Sequence, residues 1–162
     1  MLIAATVFAV NTCFAQNDWL LYKIDQHLMV KLPTDPRKLN GNTFIAITKD
    51  STGCIVTRID FKETAGLDSA GVAPLLDTKA FADTIRSGLV GRMKGFTLSE
   101  MKPGKLNGHY TYLIDGVNQE KKVNAYIYLV AAGQYLYSIS ALVKDGRGTK
   151  EKDYFFASVI IN

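Results

Sequence analysis

Residues 109–143 read HYTYLIDGVNQEKKVNAYIYLVAAGQYLYSISALV. Apolar and polar side chains alternate through 109–114, 122–130 and 135–143, the period of a half-buried strand. In the middle run Val123, Ala125, Ile127 and Leu129 share one face, and Asn124, Tyr126, Tyr128 and Val130 the other. Asp115-Gly116 and Gly133 punctuate the runs. Connections this short join neighbouring strands only as antiparallel hairpins. Successive hairpin strands with no helix between them exclude a doubly wound parallel sheet, so the fold class is α+β.

Upstream, Phe81, Ile85, Leu89 and Met93 recur every fourth residue, the stripe of an amphipathic helix. Asp77 is its expected N-cap, and Gly95 its closing residue. Gly88 and Gly91 lie inside it, each costing about 1 kcal/mol relative to Ala. The expectation is that they let the helix pack closely on the sheet. Residues 63–76 read as irregular, and 96–102 as a strand stopped by Pro103-Gly104. Asn107-Gly108 reads as a turn.

Further back, 19–24 and 27–32 read as two strands joined by a turn at Asp25-Gln26. Residues 33–42 hold Pro33, Pro36 and Asn40-Gly41 and read as a loop. Residues 43–49 and 54–62 form a further expected hairpin, with Gly53 supplying a positive φ. Downstream, 149–158 reads as a short helix with Tyr154, Phe155 and Val159 on one side. The whole is an antiparallel sheet of about six to seven strands, flanked by a long helix and a C-terminal helix.

This order resembles the PsbP-like family of α/β/α sandwiches, which includes the bacterial DcrB-like envelope proteins. Trp19-Leu20-Leu21-Tyr22, with His27 through Pro33, is similar to the family's opening hairpin. Gly108-His109-Tyr110 resembles the small-residue opening of the strand that follows the long helix. Gln134-Tyr135-Leu136-Tyr137-Ser138-Ile139 resembles the penultimate strand, and Phe155 through Ile160 the closing aromatic-x-x-Ser segment. The resemblance spans residues 19–162. It implies helices against both sheet faces. The family hosts a photosystem assembly subunit, a Ran-binding import factor and envelope proteins of unknown role. The resemblance therefore implies a fold and no activity, and no catalytic motif is carried over.

The chain has 162 residues, 48% hydrophobic and 21% charged, which fits one domain. No apolar run reaches the roughly 18 residues of a membrane span. Residues 1–15 carry no charged side chain, and Cys13-Phe14-Ala15 fits cleavage before Gln16. Residues 1–15 are thus expected to be a signal peptide and 16–162 a single domain, periplasmic or secreted, with no transmembrane anchor once mature. Asn11-Thr12 before Cys13 does not match a lipobox. Cys54 then stands alone in a strand pattern and reads as a buried, inert thiol.

His27 and His109 are the chain's two histidines, and neither has a second His or Cys at ligand spacing. No nucleophile or phosphate-loop motif occurs, so no catalytic residue, metal or cofactor is expected. A hydrolase would need a carboxylate converging on His27 or His109. Two surfaces stand out. Arg86, Arg92, Lys94, Lys102 and Lys105 form a basic segment against Glu100, suited to an anionic lipid or polyanion. Nucleic acid is not expected to meet an exported protein. If their strand faces coincide, Tyr110, Tyr112, Tyr126, Tyr128, Tyr135 and Tyr137 tile one side of the sheet as a stacking platform. The expected function is a non-enzymatic envelope domain that binds a partner protein or envelope ligand through one of these surfaces. The alternative is a small-molecule or lipid carrier with a pocket of roughly 300 Å3 or more between sheet and helix, lined by Phe81, Ile85 and Leu89.

Overall fold

The computed structural model describes residues 19–162. The signal peptide read in 1–15, with Cys13, lies outside the described residues. The strands are β1 Leu20–Lys23, β2 Leu28–Leu32, β3 Arg37–Leu39, β4 Thr43–Ile47, β5 Gly53–Asp60, β6 Thr97–Leu98, β7 Lys102–Leu106, β8 His109–Asn118, β9 Val123–Ala132, β10 Tyr135–Lys144 and β11 Ile160–Ile161. The helices are α1 Phe61–Ala65, α2 Ser69–Val72, α3 Lys79–Arg92 and α4 Lys150–Ala157.

Eight strands build one antiparallel sheet in the order β3-β4-β5-β10-β9-β8, with β6 and β7 both lying along the outer edge of β8. The opening hairpin pairs instead with β11 in a separate three-stranded sheet. The α+β class and the antiparallel hairpins expected from 109–143 are therefore present.

Strand pairing decides what each face carries. Tyr137, Ile139 and Ala141 of β10 stand opposite Val130, Tyr128 and Tyr126 of β9, and opposite Arg58, Val56 and Cys54 of β5. The small sheet and α4 cover most of this face, adding Leu28, Val30, Leu32, Phe155, Phe156 and Val159 to one buried core. Leu136, Ser138, Ser140 and Leu142 point the other way. On that side Tyr112, Ile114, Ile127, Leu129 and Leu136 meet the partly buried stripe Phe81, Ile85, Leu89 and Met93 of α3. The four-residue period of the helix is thus confirmed.

Several local expectations are corrected. Thr78, not Asp77, caps α3, its Oγ1 accepting from the Phe81 amide at 3.3 Å. Residues 63–76 hold α2, the end of α1 and a 3-10 turn at Ala73–Leu75, elements too short to show a period. Asp60 caps α1 and Gly66, at φ 68°, ends it. The strand read at 96–102 is only β6. β7 then runs straight through Pro103-Gly104, which an edge strand tolerates because proline's missing N–H can face away from its partner. Asp115-Gly116 is not a turn but the interior of β8. A Cβ on Gly116 would sit 2.7 Å from Leu98 Cδ2, so this glycine marks a closely packed strand position rather than a turn. The β4–β5 hairpin places its positive φ, 69°, at Ser51 and not at Gly53. Loop 33–42 contains the short β3.

Candidate functional site

α3 covers the sheet only in part. None of its residues is fully buried, and a Cβ on Gly88 or Gly91 would meet no atom within 4 Å. The close packing expected at these glycines does not occur. Between helix and sheet lies a groove of about 590 Å3. Its floor is Ile55, Thr57 and Ile59 of β5, Leu136, Ser138, Ser140 and Leu142 of β10, and Ile127 and Leu129 of β9. Its helix side is Thr84, Ile85, Gly88 and Leu89, continued by Arg92, Met93, Lys94 and Phe96.

The sequence builds this space in a simple way. Ser138 lies between Thr57 and Leu129, and Ser140 between Ile55 and Ile127. Serine at these two positions lowers the floor where a branched residue would rise to meet the helix. Their hydroxyls bond each other at 3.1 Å, so neither needs water as a partner. Glycine at 88 withholds a side chain from above. The bare strip continues outward to β4, where Ile45 stands opposite Ile55 and Ile47 is 60% exposed. Removing such a strip from water is favourable by about 25 cal/mol per Å2 before the costs of association are subtracted.

The five basic residues of 86–105 do not act as one patch. Arg86 donates to the Ser99 and Leu98 carbonyls, each at 3.3 Å, tying α3 to β6. Arg92 and Lys94 line the groove. Lys102 and Lys105 lie on the edge strand β7, where lysine discourages strand addition.

The tyrosines also divide. Tyr112 pairs with Leu129, placing it and Tyr110 on the α3 side, whereas Tyr128 pairs with Leu113 and lies with Tyr126, Tyr135 and Tyr137 on the opposite side. The single platform does not form, because one step of register sends side chains to opposite faces. Tyr112 and Tyr137 are buried, at 5% and 0% exposed. Tyr112 donates to the Leu76 carbonyl, and its ionisation is pushed up by burial and by Tyr110. Lys152 sits 4.6 Å over the Tyr126 ring, and Phe156 packs 4.4 Å from Tyr128.

Tyr137 donates to Asp25 at 2.7 Å, and burial together with that carboxylate pushes its ionisation up. Burial acts to raise the Asp25 carboxyl. Bonds from Tyr137, the His27 and Leu28 amides and Arg58 outweigh this and hold it below its ordinary 3.8. Asp25 therefore meets the His27 backbone, not its ring; that ring packs on Tyr135 at 5.6 Å. Cys54 has no exposed surface, and its thiol is pushed up to about 12 by burial and by the Glu151 and Asp50 carboxylates. Among the described residues no group of three or more His, Cys, Asp or Glu side chains gathers at metal-binding distance.

Reading the sequence for chemistry missed the groove's floor. The signal available was Ser138-Ile139-Ser140, two small polar residues on a face otherwise made of leucine and isoleucine.

Fold and site together define a mixed α+β domain with one sheet face largely covered by the small sheet and α4, and the other half-covered by α3. No family model matches the chain, and no curated protein does. Solved structures do. Cyanobacterial PsbP from Synechocystis sp. PCC 6803 superposes with a TM-score of 0.57 at 10% identity, covering 98% of each chain. A protein from Bacteroides thetaiotaomicron VPI-5482 superposes with a TM-score of 0.50 at 13% identity, covering 83% of this chain. This chain spans 45% of that one. The fold is PsbP-like, as the resemblance implied. No helix among the described residues is long and apolar enough to cross a membrane.

Proposed function

We propose that this protein is a non-enzymatic binding domain of the cell envelope that carries a small, largely apolar molecule in the groove beneath α3. One observation carries the reading: a groove of about 590 Å3 floored mainly by Ile and Leu side chains, with Thr57, Ser138 and Ser140 among them, and roofed by a helix that withholds a side chain at Gly88. That volume falls within the roughly 300–1,000 Å3 of small-molecule sites. Recognition through the tyrosines is the weaker reading, since two of them are buried and the rest are split between faces. The envelope location rests on the signal peptide read in residues 1–15.

The test is a titration with N-phenyl-1-naphthylamine, a neutral dye that fluoresces in apolar sites. Saturable one-to-one binding is expected. Gly88→Leu fills the groove from above and Ser138→Leu from below, and each is expected to weaken binding about tenfold, or 1.4 kcal/mol. Leucine favours helix more than glycine does, so Gly88→Leu should fold. Absence of saturable binding, or binding indifferent to both substitutions, would refute the proposal.

A further inference from the structure

The groove's lining is chemically lopsided. Its charged residues are Arg92 and Lys94, both cationic, and no Asp or Glu lines it. Both come from the chain that ends α3 and leads to Phe96, so positive charge gathers at one end of a trough otherwise lined by apolar and hydroxyl side chains. Neither side chain pairs with a carboxylate among the described residues, where the ion pairs are Arg58–Asp25, Lys79–Asp83 and Lys152–Asp153. Nor is either spent on backbone carbonyls, as Arg86 is. The carbonyl end of α3 carries about half a negative charge at this end. Two full positive charges exceed it.

Resting on the carrier reading, we infer that the ligand is a single-chain amphiphile with an anionic head, a long-chain carboxylate. The head pairs with Arg92 and Lys94, and the chain lies along the partly exposed Ile55, Leu142 and Leu89. A neutral hydrocarbon would leave the cations without a partner. A polyanion would leave the apolar floor uncovered. An amphiphilic acid satisfies both parts of the surface. Arginine and lysine bind a carboxylate through charge-assisted hydrogen bonds, and the chain supplies affinity by burial.

The experiment is calorimetric titration of the protein with decanoate and with decanol, near pH 8, where a carboxylic acid is ionised. Decanoate is expected to bind about five- to tenfold more tightly than decanol, the scale of two partly exposed ion pairs. The Arg92→Glu, Lys94→Glu double variant is expected to abolish that preference, and about 0.5 M salt to shrink it. Shortening the acid should weaken binding about fourfold per methylene. Equal binding of decanoate and decanol by the unmodified protein would overturn the anionic-head inference and leave the apolar groove standing. So would a preference that survives the double charge reversal. Binding of neither compound would overturn the inference and the carrier reading together.

Discussion

The Tyr137 hydroxyl donates to Asp25 at 2.7 Å from a side chain with no exposed surface. Through this bond and a 3.5 Å ion pair to Arg58, Asp25 fastens the turn of the opening hairpin to β10 and β5. Removing the carboxylate strands a buried hydroxyl, so Asp25→Ala is expected to cost about 2–3 kcal/mol in urea unfolding, and Tyr137→Phe about 1 kcal/mol. Because the folded-state Asp25 titrates below its ordinary 3.8, its contribution is full above that pH and is lost as the pH falls through the folded value. Asp25→Asn should therefore flatten the loss of stability on acidification below about pH 4. An unchanged acid limb would contradict the assignment. Little of this was legible in the sequence. Alternation places Tyr135 and Tyr137 on one face, but not what covers that face. Asp25 reads only as a turn residue. Its partner lies 112 positions away.

At the scale of the element, α3 shows what periodicity reveals and what it hides. Phe81, Ile85, Leu89 and Met93 announce a helix and the side it turns to the core, and the structure places them there. The glycines mislead. Helix interiors disfavour glycine, so close packing seems the natural excuse, yet Gly88 and Gly91 face open space. Gly91→Ala is accordingly expected to stabilise the protein by about 0.5–1 kcal/mol. Differential scanning calorimetry should show the midpoint rising by roughly 2–4 °C per kcal/mol. A fall would contradict the open space at Gly91. The edge of the sheet tells a similar story. Pro103-Gly104 reads as a stop, but β7 continues through it because only an outermost strand can spare the proline's hydrogen bond.

For the molecule as a whole, the asymmetry between the two sheet faces is the main result. The hairpin sheet and α4 cover most of one face with Phe155, Phe156 and Val159. α3 leaves the other partly bare from Ser138 out to Ile47. The α+β class was legible because the strands of 109–143 follow one another through short connections, and the long helix because its stripe is strong. The groove was not legible, because it is made by what is missing: a side chain at Gly88 and bulk at Ser138 and Ser140. Of the basic residues singled out in the sequence, Arg92 and Lys94 reach it, for a reason that spacing alone could not give.

The most direct test of the groove is a nitrogen–proton correlation spectrum of the labelled protein, followed while decanoate is added. The account predicts shifts concentrated at Gly88 and Leu89 on α3, Thr57 on β5, and Ser138 and Ser140 on β10, with the α4 face unmoved. Shifts centred on Tyr126, Tyr128 and α4, or no saturable shift anywhere, would contradict it.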